Sequence, residues 1–396
     1  MNTLRKLISP DLKRRIKIYL HQIYRLTHNL PLLKTNLHVE EVGDNKSDIF
    51  FGYYDISPYN ISDDTLIYHR RLDDNTVDIC RYDLHKRQEE KVANSRAWNW
   101  QQGSRLRWID ENIVSFNDYI DGKYVNRMIN IWSKEELIID KPLYDISPNK
   151  EIGLSLNFER LGYLRPGYGY RCKNTPATHF NNQGIDIISI KDNSVRVSID
   201  LPRIHKLMKS KVSLDNCYIN HLSFSPDSKS FLFFFIEIID GYHKASLVVY
   251  DMEKACFTVL EDEMKVSHYV WSDNKNILCS AYSSPGDCKY YIYNISESSK
   301  EIVLPSLLPV DGHPSYLTKD TILTDTYPDA NGYQKLYTVN LKSSQEKELL
   351  KIYSIPVLTG ERRTDLHPRI NHSRSKVCID ACVKKNRKIY EITLDQ

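Results

Sequence analysis

Four histidines recur in one local spelling. His221-Leu222-Ser223-Phe224, His268-Tyr269-Val270-Trp271, His313-Pro314-Ser315-Tyr316 and His367-Pro368-Arg369-Ile370 each place a bulky apolar residue three positions after the imidazole. The intervals of 47, 45 and 54 residues have the size of a repeated supersecondary unit. Histidines at one phase of successive repeats converge in space although they are far apart in the chain. Converging imidazoles suit Mn, Fe, Ni, Cu or Zn, and added carboxylates shift the preference towards Mn. Asp311 and Asp365 stand two residues before His313 and His367, where they can act as ligands or as partners that orient the rings. The plainer reading is four residues that merely begin strands; the shared phase favours a common metal or anion site on His221, His268, His313 and His367.

Arginines gather near the same frames. Arg362, Arg363 and Arg369 flank His367, and Arg105 follows Trp98, Trp100, Gln101 and Gln102. Guanidinium forks bind carboxylate or phosphate, and indole rings stack on sugar faces. Arg105, Arg363 and Arg369 are therefore candidates for the chemistry, with Tyr53, Trp100 and Gln102 as substrate contacts. The alternative is ordinary packing by the tryptophans and surface charge from the arginines.

The elements that must position these residues can be read outward from the frames. The spelling extends to the N-terminal half without histidine: Tyr53 in Tyr53-Tyr54-Asp55-Ile56, Arg105 in Arg105-Leu106-Arg107-Trp108 and Leu143 in Leu143-Tyr144-Asp145-Ile146 take its place. Each frame is followed by two or three strand-like runs separated by turn residues; after His221 they are Ser230–Ile239, Ala245–Asp251 and Ala255–Leu260. Such runs predict four-stranded antiparallel units, and seven units predict an all-β, seven-bladed β-propeller over 38–396. The last unit is one strand short. Leu37–Val42 is expected to fill the gap, closing the ring and hiding its edges. The frame residues then begin the innermost strands and surround one mouth of the central channel.

The third unit is oversized and contains Asn157–Ala177, rich in Tyr, Arg and Gly. A long insertion of this kind is often functional, and Arg165 and Tyr168 are candidates for contacting a sugar or an anionic polymer. A loop that simply covers one face of the ring is an equal alternative.

Residues 1–28 differ from the rest. Ser9-Pro10-Asp11 is a helix start, and Leu12, Ile16, Tyr19, Leu20, Ile23 and Leu26 recur at helical spacing among Arg5, Lys6, Lys13, Arg14, Arg15, Lys17 and Arg25. This short amphipathic α-helix either rests on an anionic inner-membrane leaflet, where each basic residue contributes about 1 kcal/mol, or packs on the main domain. Residues 29–37 read as a linker. The net charge of +3 argues against binding nucleic acid over a wholly basic surface. No run of apolar residues is long enough to span a bilayer. The N-terminus lacks the apolar core of a signal peptide, and eight scattered cysteines without a CxxC pair read as buried free thiols. The expected location is cytoplasmic, peripheral to the inner membrane face where the helix serves as an anchor.

Asp311-Gly312-His313-Pro314-Ser315, Asp325-Thr326-Tyr327-Pro328-Asp329 and Arg363-Thr364-Asp365-Leu366-His367-Pro368-Arg369 resemble repeats of the oligogalacturonate lyase-like β-propellers, kin to the TolB-type WD40-like propellers. The resemblance spans roughly 40–395 and is distinct in the last three units. It implies a divalent metal, typically Mn, on His313 and His367 with His221 and His268 as companions, and cleavage of uronate oligomers by β-elimination. The expected function is thus a metal-dependent enzyme acting on acidic glycans or glycolipids. The alternatives are a membrane-associated glycosyltransferase or modifying enzyme of surface-polysaccharide assembly, and a non-catalytic scaffold that binds protein or glycan.

Overall fold

The computed structural model describes residues 10–28, 30–44, 46–171, 181–303, 311–354 and 360–394. Seven antiparallel sheets succeed one another along the chain. The strand nearest the axis comes first in each: Ile49–Phe50, Arg107–Trp108, Asp145–Ile146, Cys217–Phe224, Lys265–Trp271, Ser315–Thr318 and Arg369–Ile370 open blades 1 to 7. Arg105, Leu143, His313 and His367 lie two residues before an inner strand, whereas His221 and His268, expected to begin theirs, lie within them, and Tyr53 follows the inner strand of blade 1.

The final blade is completed by Val39–Val42, which pairs with Lys388–Thr393 in the register Val39–Ile392 to Val42–Ile389. This is the closure expected of Leu37–Val42. The segment read as a linker also contributes: Leu33–Lys34 pairs with the outer strand Glu346–Tyr353 and makes blade 6 five-stranded.

Blade 4 shows why the runs became strands. Phe231 to Ile236 are six consecutive buried apolar residues. Alternation is lost because both faces of this second strand are covered by neighbouring blades. The opposite requirement operates at the turns between third and fourth strands. Asp83, Asn130, Asp251, Asn294 and Asn340 each accept hydrogen bonds from the backbone N–H groups two and three residues on. These Asx turns reverse the chain at the same place in five blades.

The strand directions put all the functional loops at one end. The turns after second strands, the links between blades and the insertion of blade 3 share the end at which the inner strands begin. Helix α1 (Pro10–Thr27) joins the ring at that end too, through Leu30 and Leu32 against Tyr333, Tyr353 and Cys382. The expected cap Ser9 lies outside the described residues. Of the described cysteines, Cys256 is exposed and six are buried, all unbonded; Cys172 lies outside them. No described helix is long and apolar enough to cross a membrane.

Candidate functional site

The inner strands aim the histidines by local irregularity. The pairing of blade 4 slips between Asn220 and Ser223, and that of blade 5 between Val266 and Tyr269. These bulges turn His221 and His268 out of the sheet alternation and towards the channel. His221 and His367 adopt φ values of 58° and 46°, and Arg105, at the same phase, 57°. Left-handed backbone is uncommon for non-glycine residues, so its recurrence at one phase marks a shared constraint on these positions.

The rings converge. His313 lies 4.2 Å from His268 and 4.4 Å from His367, centre to centre. The buried ring of Tyr53 stands among them, 4.8 Å from His367 and 5.2 Å from His221. In three of the four histidines Nδ1 is held from behind. The Nδ1–H of His268 donates to Asp311 at 2.8 Å, that of His313 to Asp325 at 2.8 Å and that of His367 to the Gly52 carbonyl at 2.8 Å. This leaves Nε2 as the outward atom of each. For His367 that atom is buried and has no hydrogen-bond partner among the described residues, a costly arrangement unless something binds there.

The electrostatics differ from ring to ring. Burial lowers the pKa of His367 well below the ordinary imidazole range, and the neighbouring His313 lowers it further. Burial also lowers His268, against the pull of Asp311. Burial opposes charge on His313 too, but Asp325 outweighs it and raises the pKa. Asp311 accepts from His268, Ser267 and Ser280, which hold its pKa far below the usual carboxylate range despite its burial.

His313, Asp365 and His367 present ligand atoms within 4.8 Å of one another. This donor set suits a divalent cation. Two imidazoles have a fixed tautomer and an open Nε2, one backed by a carboxylate and one by a carbonyl, as ligating histidines generally are. Asp365 is also gripped by Arg363, whose Nε and Nη2 donate to it at 2.8 and 2.6 Å.

Beside the cluster opens a cavity of about 370 Å³, lined among others by Tyr53, His221, His268, Asp311, Tyr327 and Arg363. Its far wall carries Arg165 and Tyr168 from the insertion, and Tyr242, Lys265 and Tyr282 from blades 4 and 5. The insertion is folded onto the ring. Tyr170 stacks on Phe158 at 4.6 Å and accepts from Asn117, while Arg160 donates to the Cys217 and Leu214 carbonyls. Helix α2 (Phe158–Leu164) passes so close to the returning chain that a Cβ on Gly162 would lie 2.6 Å from the Tyr170 carbonyl oxygen. The ammonium of Lys265 sits 4.8 Å from the Tyr242 ring centre and 5.6 Å from that of Tyr282. Among the described residues no ion pair neutralises Lys265 or Arg165, and burial lowers the pKa of Lys265.

The expected site residues thus separate. His268, His313 and His367 come together, whereas His221 is set across Tyr53, its Nε2 accepting from Asn220 at 3.2 Å. Tyr53, Arg165, Tyr168 and Arg363 line the cavity. Arg105 and Arg369 do not take the role expected of them. Arg105 is buried, forks onto Asp55 and donates to the Tyr144 carbonyl. Arg369 is buried with Asp380 and the Gly52 carbonyl. Their donors are spent inside the protein. Trp100 packs on Phe50 beneath Arg71 and Arg362, outside the cavity lining. Gln102 is buried and donates to Tyr144 and Asn220. Sequence reasoning missed Lys265 and the role of Asp325, which entered only as part of a repeat-like motif. The topology was the available signal for Asp325: it ends the strand Thr321–Asp325, which pairs with the strand that follows His313 by two residues.

No protein-family model matches the chain, and no curated protein matches it in sequence. Solved structures do match in shape. An oligogalacturonate lyase from Vibrio parahaemolyticus superposes with a TM-score of 0.66 at 13% identity, covering 92% of this chain and 97% of that one. An oligogalacturonate lyase in complex with manganese gives 0.67 at 13% identity, covering 92% and 94%. The Cps50 (Swd1) β-propeller domain of Myceliophteria thermophila gives 0.54 at 11% identity, covering 88% and 100%. The likeness is one of fold.

Proposed function

We propose that the protein is a lyase that cleaves acidic oligosaccharides by β-elimination next to a carboxylate. The reading rests on one observation: a buried imidazole base with a fixed tautomer, His268 on Asp311, adjoins a candidate metal triad and a cavity lined by Arg165 and Lys265, which have no ion pair among the described residues. The similar fold of oligogalacturonate lyases, one of them in complex with manganese, supports it.

A divalent cation held by His313, Asp365 and His367 would neutralise the substrate carboxylate and acidify the adjacent C–H. Arg165 and Lys265 attract acidic sugar rings into the cavity, and the Tyr53, Tyr168 and Tyr327 rings offer faces for stacking. His268 is neutral at pH 7 because burial lowers its pKa, so its Nε2 lone pair is free to take the proton. Asp311 holds the opposite N–H and stabilises the imidazolium that forms. The electrons of the broken C–H bond become the new C=C bond as the C–O bond to the leaving sugar breaks; that oxygen takes a proton from water, and the His268 imidazolium returns its proton to solvent, so no net proton is consumed.

The test is product absorbance. Protein supplied with Mn and oligogalacturonate should release unsaturated uronate that absorbs in the ultraviolet. His268→Gln should reduce the rate by about 10²–10⁴-fold while Mn binding is kept. Absence of unsaturated product across a panel of uronate oligomers would refute the proposal.

A further inference from the structure

Among the described residues, nothing covers an apolar face of helix α1. Leu12, Ile16, Tyr19, Leu20, Ile23 and Leu26 lie along one side of it and are between 40% and 64% exposed. The sequence that carries this stripe is one-sided in charge. Residues 1–28 contain seven Lys or Arg and one Asp, a net +6, whereas the whole chain is +3, leaving −3 for the remaining 368 residues. A protein core does not need such a counter-face; an anionic lipid surface does.

A second observation comes from the ring. The helix is tied down where it meets blade 6: the Tyr333 hydroxyl donates to the Pro31 carbonyl at 2.8 Å, and the Tyr353 N–H donates to the Leu32 carbonyl at 2.8 Å. Leu30 and Leu32 pack there against Cys382. Cys382 begins the turn of blade 7 that carries Lys384 and Lys385, both exposed, and exposed Lys46 borders the same hollow. The basic helix and the lysine turn therefore adjoin, at the end of the propeller where the cavity opens.

We infer that this end is a docking surface for an anionic phospholipid bilayer, with the apolar stripe of α1 inserted among the lipids and Lys46, Lys384 and Lys385 against the headgroups. The inference stands independently of the lyase reading. Docking would turn the cavity mouth towards the bilayer.

Sedimentation of the full chain with vesicles tests it. Phosphatidylcholine vesicles containing phosphatidylglycerol should bind it roughly tenfold or more tightly than phosphatidylcholine alone, and added salt should narrow the difference. Leu20→Asp with Ile23→Asp should abolish binding. Lys384→Glu with Lys385→Glu should weaken binding to the anionic vesicles only. All four side chains are exposed, so unfolding midpoints should match the parent. Equal binding to both vesicles, no binding to either, or unchanged binding by the helix variant would overturn the inference. So would a dimer that the helix variant dissolves, since the stripe would then belong to a second copy of the chain.

Discussion

One carboxylate organises two histidines. Asp325 accepts from Nδ1 and from the backbone N–H of His313, both at 2.8 Å, and its second oxygen receives the His367 N–H at 3.2 Å. Asp325→Asn keeps the shape but loses the charge that orients His313. Manganese affinity should fall about 10–100-fold, as read by calorimetric titration. An unchanged affinity would remove His313 from the ligand set.

Gly162 sets how closely the insertion lies on the ring. Alanine is the better helix former by about 1 kcal/mol, yet a Cβ here meets the Tyr170 backbone at 2.6 Å. Gly162→Ala should shift Arg165 and Tyr168 off the cavity and lower kcat/KM about 10–100-fold, leaving metal affinity as it was. Steady-state kinetics on the uronate substrate, paired with metal titration, separates the two effects.

Asp380 lies fully buried between Arg369 and Arg387, with contacts of 2.7 and 3.0 Å. Asp380→Asn strands two guanidinium groups in the interior. Chemical denaturation should show a loss of about 3–5 kcal/mol. A loss below about 1 kcal/mol would mean that water or a rearrangement reaches the pair.

Glu261 joins blades 4 and 5. Burial alone would raise its pKa, but the Lys300 ammonium at 2.8 Å, the Met264 N–H and the Tyr293 hydroxyl outweigh burial and hold it below its ordinary 4.5. A depressed carboxyl contributes stability that is fully present above the unfolded value and lost as pH falls through the folded one. Glu261→Gln should therefore be less stable than the parent at pH 7, by about 1–3 kcal/mol. The gap should close as pH drops below about 4.5. Denaturation across pH would show a constant gap if the carboxylate were not responsible.

The ring was largely legible in the chain because repetition enforces it. Seven frames, each followed by runs of apolar and β-branched residues, specify seven blades, and the missing last strand points back to Leu37–Val42. Pairing by Leu33–Lys34 left no such mark: two residues carry no period. The convergence of His268, His313, His367 and Tyr53 was legible because each projects from the repeat phase. The site was misread where chemistry depends on what a charge meets. Arg105 and Arg363 look alike in sequence, yet one is locked onto Asp55 in the interior and the other lines the cavity. Lys265 gave no warning, because its significance is its place in the cavity lining without an ion pair among the described residues, rather than any motif.

The closure of blade 7 by Val39–Val42 against Lys388–Thr393 has a consequence for biosynthesis. The two strands leave the ribosome nearly 350 residues apart, an interval of roughly 20–70 s at ordinary elongation rates. Throughout that time the early strand has no partner, and the growing ring offers an open sheet edge. Blades formed in the meantime can stack on one another, but the circle becomes continuous only after translation of the final blade, so premature termination yields an open arc with adhesive ends.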